Sequence, residues 1–128
     1  MNLICPKCSG LLQSLTFEGV EVDRCRKCAG IWFDAQEADQ LKNMQGSESL
    51  DIGDPALGEQ YDHIAKPLRC PCCRQRLVKM LDMDKYSIWY ESCPRCQGLW
   101  FDAGEFKKFK ENFRQPSLQR LARRLFGR

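Results

Sequence analysis

The chain has a single histidine, His63, and no apolar run approaching the roughly 18 residues a membrane-spanning helix needs. The opening "MNLICPKC" has neither the basic region nor the apolar stretch of a secretory signal. These absences point to a cytoplasmic chain with no transmembrane span, and peripheral membrane contact is not expected. A hydrophobic share of 43% in 128 residues, set beside nine cysteines, points away from one large core and toward small units held by something else. The odd cysteine count fits a disulfide framework poorly, and in a reducing compartment paired cysteines more often hold metal.

Eight of the cysteines do fall into pairs. Cys5 with Cys8, Cys25 with Cys28, Cys70 with Cys73 and Cys93 with Cys96 form four C-x-x-C units, and Cys72 is left over. The second and fourth units open a repeat: from Cys25 to Lys42 and from Cys93 to Lys110, nine of eighteen positions are identical. Sixteen residues separate Cys8 from Cys25 and nineteen separate Cys73 from Cys93, so the intervening length varies while the ends are kept. Two lobes follow, at residues 1–42 and 68–111, joined by a linker at 43–67 and followed by a tail at 112–128.

Within each lobe, β-prone runs flank a turn, Glu18-Gly19 in the first and Asp84-Lys85 in the second, and predict antiparallel hairpins. A hairpin returns to its starting point and brings its two Cys pairs together. Four sulfurs then converge as a tetrahedral Zn²⁺ requires, at about 2.3 Å from the ion. Two Zn²⁺ ions are expected, on Cys5, Cys8, Cys25 and Cys28 and on Cys70, Cys73, Cys93 and Cys96. Iron uses the same ligand set and is left open. Lobes of this size seldom bury enough apolar surface, and a structural zinc site contributes on the order of 10–16 kcal/mol toward folding. With both sites complete, His63 is not needed as a ligand.

"CPKC", a hairpin and "CRKCAGIWFDAQE", then "CPCC", a hairpin and "CPRCQGLWFDAGE", resemble the bacterial zinc-ribbon family named after the zinc finger of transcription factor IIB. The resemblance covers both lobes. It implies a zinc ribbon and Cys₄ zinc binding at the eight paired cysteines, and little about activity. Gln36 stands where that family's pattern has Gly before Glu37, and Cys72 is an added thiol.

The fold expected is a small metal-stabilised α+β protein: two zinc ribbons, each a β-hairpin plus a short helix, with a helical linker and a basic C-terminal helix. Asp34 with Glu37 and Asp102 with Glu105 have capping-box spacing, in which the Asp side chain caps the helix and the Glu reaches back. Helices should follow, with Ala38 and Leu41 on one face and with Phe106, Phe109 and Phe113 on another. A carboxylate pair for catalysis would need a nearby nucleophile, base or open metal position, and neither copy offers one, so no enzyme is expected. Trp32 and Trp100, each two residues after a glycine that relaxes the turn, should cover their hairpins and shield the sulfurs. Trp89, beside Tyr86 and Tyr90, should pack on its strand.

Each Cys₄ zinc site carries a net −2, which takes the formal +3 of the chain to −1. Lys7, Arg24, Arg26 and Lys27, and Arg69, Arg74 and Arg95, are expected to offset thiolate charge. Outside the lobes the charge is uneven. Residues 43–67 sum to −4, through Glu48, Asp51, Asp54, Glu59, Asp62 and one Lys, while residues 106–128 sum to +7. In the linker, flexible "QGSESLDIG" precedes a short helix opened by Asp54-Pro55, with Leu57, Tyr61 and Ile64 on one face. In the tail, Leu118, Leu121, Ala122, Leu125 and Phe126 form a stripe opposite Arg120, Arg123 and Arg124.

The reading favoured is a non-enzymatic zinc-binding interaction module whose basic tail, through Arg120, Arg123, Arg124, Leu121 and Leu125, meets nucleic acid or the transcription machinery. The alternatives are an adaptor that binds protein only and a zinc-thiol redox or chaperone protein, for which Cys72 is the one supporting residue.

Overall fold

A computed structural model describes residues 3–62, 64 and 66–114, the last two as backbone alone. His63 and the tail residues Arg120, Arg123, Arg124, Leu121 and Leu125 lie outside the described residues. The elements run β1 (Leu12–Phe17), β2 (Val20–Cys25), β3 (Ile31–Phe33), α1 (Glu37–Lys42), a 3-10 turn (Ser47–Leu50), α2 (Pro55–Asp62), β4 (Val78–Met83), β5 (Ser87–Ser92), β6 (Leu99–Phe101) and α3 (Glu105–Arg114). Both hairpins form where the turn residues call for them. Glu18 and Gly19 adopt φ of 47° and 88°, the left-handed pair that matches the twist of a two-residue hairpin turn.

Each lobe has a third strand that the hairpin-plus-helix expectation lacks. The repeated "IWF" and "LWF" segments form β3 and β6, which pair with β2 and β5 and with each other. The result is one six-stranded sheet in the order β1-β2-β3-β6-β5-β4. The central register sets Trp32 opposite Trp100, with Ile31 facing Phe101 and Phe33 facing Leu99. A pseudo-two-fold axis therefore passes between the two tryptophans, perpendicular to the sheet.

Strand alternation sends Val22, Ile31, Phe33, Ile88 and Phe101 to one face, where they meet Ala38 and Leu41 of α1 and Phe106 and Phe109 of α3. Phe33 meets Phe106 at 4.8 Å between ring centres, and Phe101 meets Phe109 at 4.9 Å. Buried aromatics of this kind contribute about 1.5–3 kcal/mol each before entropy is subtracted. The other face carries Trp32, Trp100 and the cysteines, with Leu57, Tyr61 and Ile64 packed against that cluster.

The linker is anchored at several points along its described length, including the segment expected to be flexible, where Ser47, Leu50 and Asp51 are buried. Ser47 donates its hydroxyl to the Leu41 carbonyl at 2.6 Å, which starts the 3-10 turn. Asp54 accepts from the Ala56 amide at 2.9 Å and caps α2 directly before Pro55. Buried Asp51 accepts from the Gly104 and Lys107 amides at 2.8 and 3.1 Å, capping α3 from outside its own sequence neighbourhood. Glu48 pairs with Lys110 at 2.7 Å and Asp62 with Lys79 at 3.5 Å, so four of the five linker acids have internal partners.

Candidate metal centres

Cys5, Cys8, Cys25 and Cys28 bring their sulfurs together within 4.8 Å, and so do Cys70, Cys73, Cys93 and Cys96. The closest approaches are 3.8 Å for Cys5–Cys28, 3.4 Å for Cys8–Cys25, 3.7 Å for Cys70–Cys96 and 3.2 Å for Cys73–Cys93. These distances are far beyond a disulfide bond. They approach the roughly 3.8 Å edge of a tetrahedron built on 2.3 Å metal–sulfur bonds. The two-residue spacer makes each knuckle by turning the chain under its first cysteine. Lys7 and Cys8 amides point at the Cys5 sulfur, each at 3.4 Å, and the Cys72 and Cys73 amides point at Cys70 at 3.3 and 3.4 Å. Amides aimed at sulfur stabilise thiolate, the form that binds metal. The donor set thus fits a tetrahedral, sulfur-preferring ion at both sites.

Each tryptophan serves the opposite lobe. Trp32 and Trp100 are fully buried, and a Cβ on Gly98 would lie 2.2 Å from the Trp32 ring while one on Gly30 would lie 2.2 Å from the Trp100 ring. The repeated glycine therefore gives room for the other copy's indole instead of relaxing a turn, since neither Gly30 nor Gly98 has positive φ. Both metal centres and both tryptophans share a single hydrophobic cluster.

The repeated aspartate serves the indole. Trp32 donates Nε1–H to Asp34 at 3.1 Å and Trp100 donates to Asp102 at 3.0 Å. Half of the expected capping box is present in the first lobe, where Glu37 accepts from the Asp34 amide at 2.8 Å. The other half is corrected: α1 has no side-chain cap, and residue 36 takes left-handed φ of 73° before the helix begins. That extra residue carries the Asp side chain out of reach of the helix amides, so it turns to the indole.

Hairpin register and knuckle position make Lys7 the counterpart of Cys72, Lys79 of Ser14, Glu91 of Asp23, and Asp102 of Asp34. The two surroundings differ sharply. Lys7 is buried and donates to Asp102 at 3.0 Å and to the Tyr61 carbonyl at 2.9 Å, and it pairs with Glu91 at 3.1 Å. Burial works against its charge, but Asp102 and Glu91 outweigh that and leave its pKa above the ordinary value. Lys7 thus ties the lobes together, and Arg24 donates to the Leu50 carbonyl at 3.0 Å; neither was expected in those roles. Cys72 is exposed, with its sulfur 3.8 Å from Asp34. Desolvation beside the knuckle, with the Asp34 carboxylate, raises its pKa to about 11.

The eight cysteines that the sequence pairs are the ones the fold brings together as two sets of four. Sequence reading missed the Lys7–Asp102–Glu91 link, because only the strand pairing between copies brings those residues together. Trp89 also differs from expectation: it is 40% exposed, with the Lys79 ammonium 5.9 Å from its ring.

Knuckle, hairpin, third strand and closing helix, repeated around a Cys₄ centre, define a tandem zinc ribbon. The transcription factor zinc-finger family matches residues 4–44 and 69–112, and the chain belongs to that family. No curated protein and no solved structure matches it. Among the described residues no helix is long and apolar enough to cross a membrane.

Proposed function

We propose that the protein is a non-enzymatic interaction module carrying two Zn²⁺ ions, in which the fused ribbons are a rigid platform and the basic segment 106–128 engages nucleic acid or the transcription machinery in the cytoplasm. The carrying observation is that both Cys₄ clusters close within one shared core, so the metals support structure and recognition falls to the surface. The acids at 48, 51, 54 and 62 are held by internal partners, Glu48 by Lys110 itself, so those acids are already engaged and do not compete for the arginines at 120, 123 and 124. Native mass measurement of the purified chain should show two zinc ions, and two in Cys72→Ser as well; iron would appear as a different mass. Replacing Arg120, Arg123 and Arg124 with Ala should weaken binding to nucleic acid and flatten its salt dependence, since each lost phosphate contact removes released counterions. Unchanged binding across a salt series would defeat the nucleic-acid reading.

A specific observation favours the protein-only adaptor as second reading. Val78, Met80, Leu81 and Met83 on edge strand β4 are exposed, next to Trp89 on β5. An apolar edge strand of this kind suits pairing with an extended segment of another protein.

A further inference from the structure

The pseudo-two-fold produces a pair of equivalent grooves on the tryptophan face of the sheet. One holds Lys7, Lys79, Glu91 and Asp102 and is covered by α2, whose Tyr61 carbonyl receives Lys7 and whose Asp62 pairs with Lys79. Helix α2 lies so close that a Cβ on Gly58 would sit 2.1 Å from the Ala103 carbonyl oxygen. Its twin, bounded by Leu3, Leu12, Glu21, Asp23, Asp34 and Cys72, is an open groove of about 470 Å³. Burial records the difference: Asp102 is 2% exposed and Glu91 3%, while Asp34 is exposed and Asp23 half-buried.

The covered groove shows what suits such a site, a helix that lays apolar side chains on the sheet and sets a charged one against an opposite charge in the groove, as Asp62 does with Lys79. Beneath α2, two lysines offset Glu91 and Asp102, and the helix brings an acid to them. In the twin, Cys72 and Ser14 replace those lysines, so Glu21, Asp23 and Asp34 stand without a cation from the sheet and call for a basic occupant. Residues 117–128 have that character, with Leu118, Leu121 and Leu125 spaced much as Leu57 and Tyr61 of α2 and Ile64 just beyond it, and with Arg120, Arg123 and Arg124 beside them.

We propose that the open groove receives residues 117–128 of a second copy of this chain, giving a dimer in which each protomer seats its basic tail on the other's β1–β2 face. A helical tail from the same protomer would fall short of the groove. Helix α3 ends beside the β4–β5 turn, where Asn112 accepts from the Tyr86 amide at 2.9 Å. It lies on the opposite sheet face, and β4 is four strand spacings, roughly 19 Å, from β2. Residues 117–128 as a helix span about 18 Å and leave too little chain both to cross the sheet and to dock. Reciprocal exchange closes as a two-fold dimer, each groove taking one tail. The exchange does not depend on nucleic-acid binding, although an anion that seizes the tail arginines would compete with it.

Sedimentation of the full-length, metal-loaded protein tests this with a charge-swapped pair. The wild type should sediment with the mass of a dimer that weakens as salt rises. A tail variant, Arg120→Glu/Arg123→Glu/Arg124→Glu, and a groove variant, Glu21→Lys/Asp23→Lys, should each be monomeric. Mixed in equal amounts, both carrying two metals by native mass, they should recover the dimer, because each tail then meets a groove of opposite sign. A monomeric wild type, a dimer that survives tail reversal, or a metal-loaded mixture that stays monomeric overturns the proposal. Tail reversal alters no described contact of the fold, so that arm decides the matter even where the groove variant loses metal.

Discussion

Gln36 and Gly104 occupy equivalent positions with φ of 73° and 86°, yet only one is glycine. The difference follows from what lies above them. A Cβ at 104 would come within 2.8 Å of Pro55 at the start of α2, whereas no counterpart of α2 among the described residues covers position 36. Gln36 thus bears only the left-handed backbone penalty, and Gln36→Gly should stabilise the protein by about 1 kcal/mol in urea unfolding; a loss would show that the Gln side chain has a compensating contact. The paired aspartates should also diverge. Asp102→Asn keeps an acceptor for Trp100 but strips charge from buried Lys7, and should destabilise by about 3 kcal/mol, while Asp34→Asn, exposed and without a buried lysine, should be nearly silent. Equal effects would dissolve the asymmetry between the copies. Glu105 adds a pH signature. Burial, with Asp62, Asp102 and Glu91 nearby, raises its pKa to about 9, so the folded state keeps a proton the unfolded chain releases. Its contribution to stability is therefore fully present below the ordinary carboxyl range and declines as pH rises toward about 9. Glu105→Gln should gain on the wild type through that window, by up to about 1.4 kcal/mol per pH unit, in zinc-saturated urea titrations. Parallel profiles would place Glu105 in water.

Helix α3 shows where local reading ends. Phe106 and Phe109 are visible in the spacing, and the packing confirms the face they make. The helix start is held by Asp51, more than fifty residues earlier, and nothing in the local pattern around Glu105 points to it. Asp51→Ala should cost about 1–2 kcal/mol, with hydrogen exchange accelerated first at Gly104 and Lys107; protection unchanged at those amides would remove the cap. The hairpins, the convergence of the eight paired cysteines and α2 were likewise readable, because each depends on turn chemistry, fixed spacing or a capping Asp-Pro near the residues concerned. Strands β3 and β6 were not. Three residues are too few to show a period of two, and their partners lie in the other copy. The same holds for the indoles: each Trp-to-Gly fit joins residues more than sixty positions apart, and the repeat alone does not say whether a glycine accommodates its own copy's tryptophan or the other's.

Joining two ribbons edge to edge changes what the metals do for the molecule. A ribbon standing alone would gain and lose its ion independently, as the two cysteine sets taken separately suggest. Here Trp100 lies on Gly30, two positions from the ligand Cys28, and Trp32 lies on Gly98, two positions from Cys96. Lys7, inside the first knuckle, is bound to Asp102 and Glu91 of the second lobe. Loss of the first metal frees the knuckle that positions Lys7, which leaves two buried carboxylates short of a cation and uncovers the indole that packs over the other lobe. Metal binding at one site should therefore strengthen the other. Cys8→Ser, which breaks only the first site, should make the second ion easier to remove: a chelator competing for zinc should extract it at about 10-fold lower concentration than from the wild type, the equivalent of about 1.4 kcal/mol of coupling. The reciprocal variant Cys73→Ser should weaken the first site by a similar factor, as linkage between two equilibria requires. If each variant holds its remaining ion as tightly as the wild type does, the tryptophan exchange and the Lys7 link carry no energy between the lobes, and the sheet is merely where two independent ribbons touch.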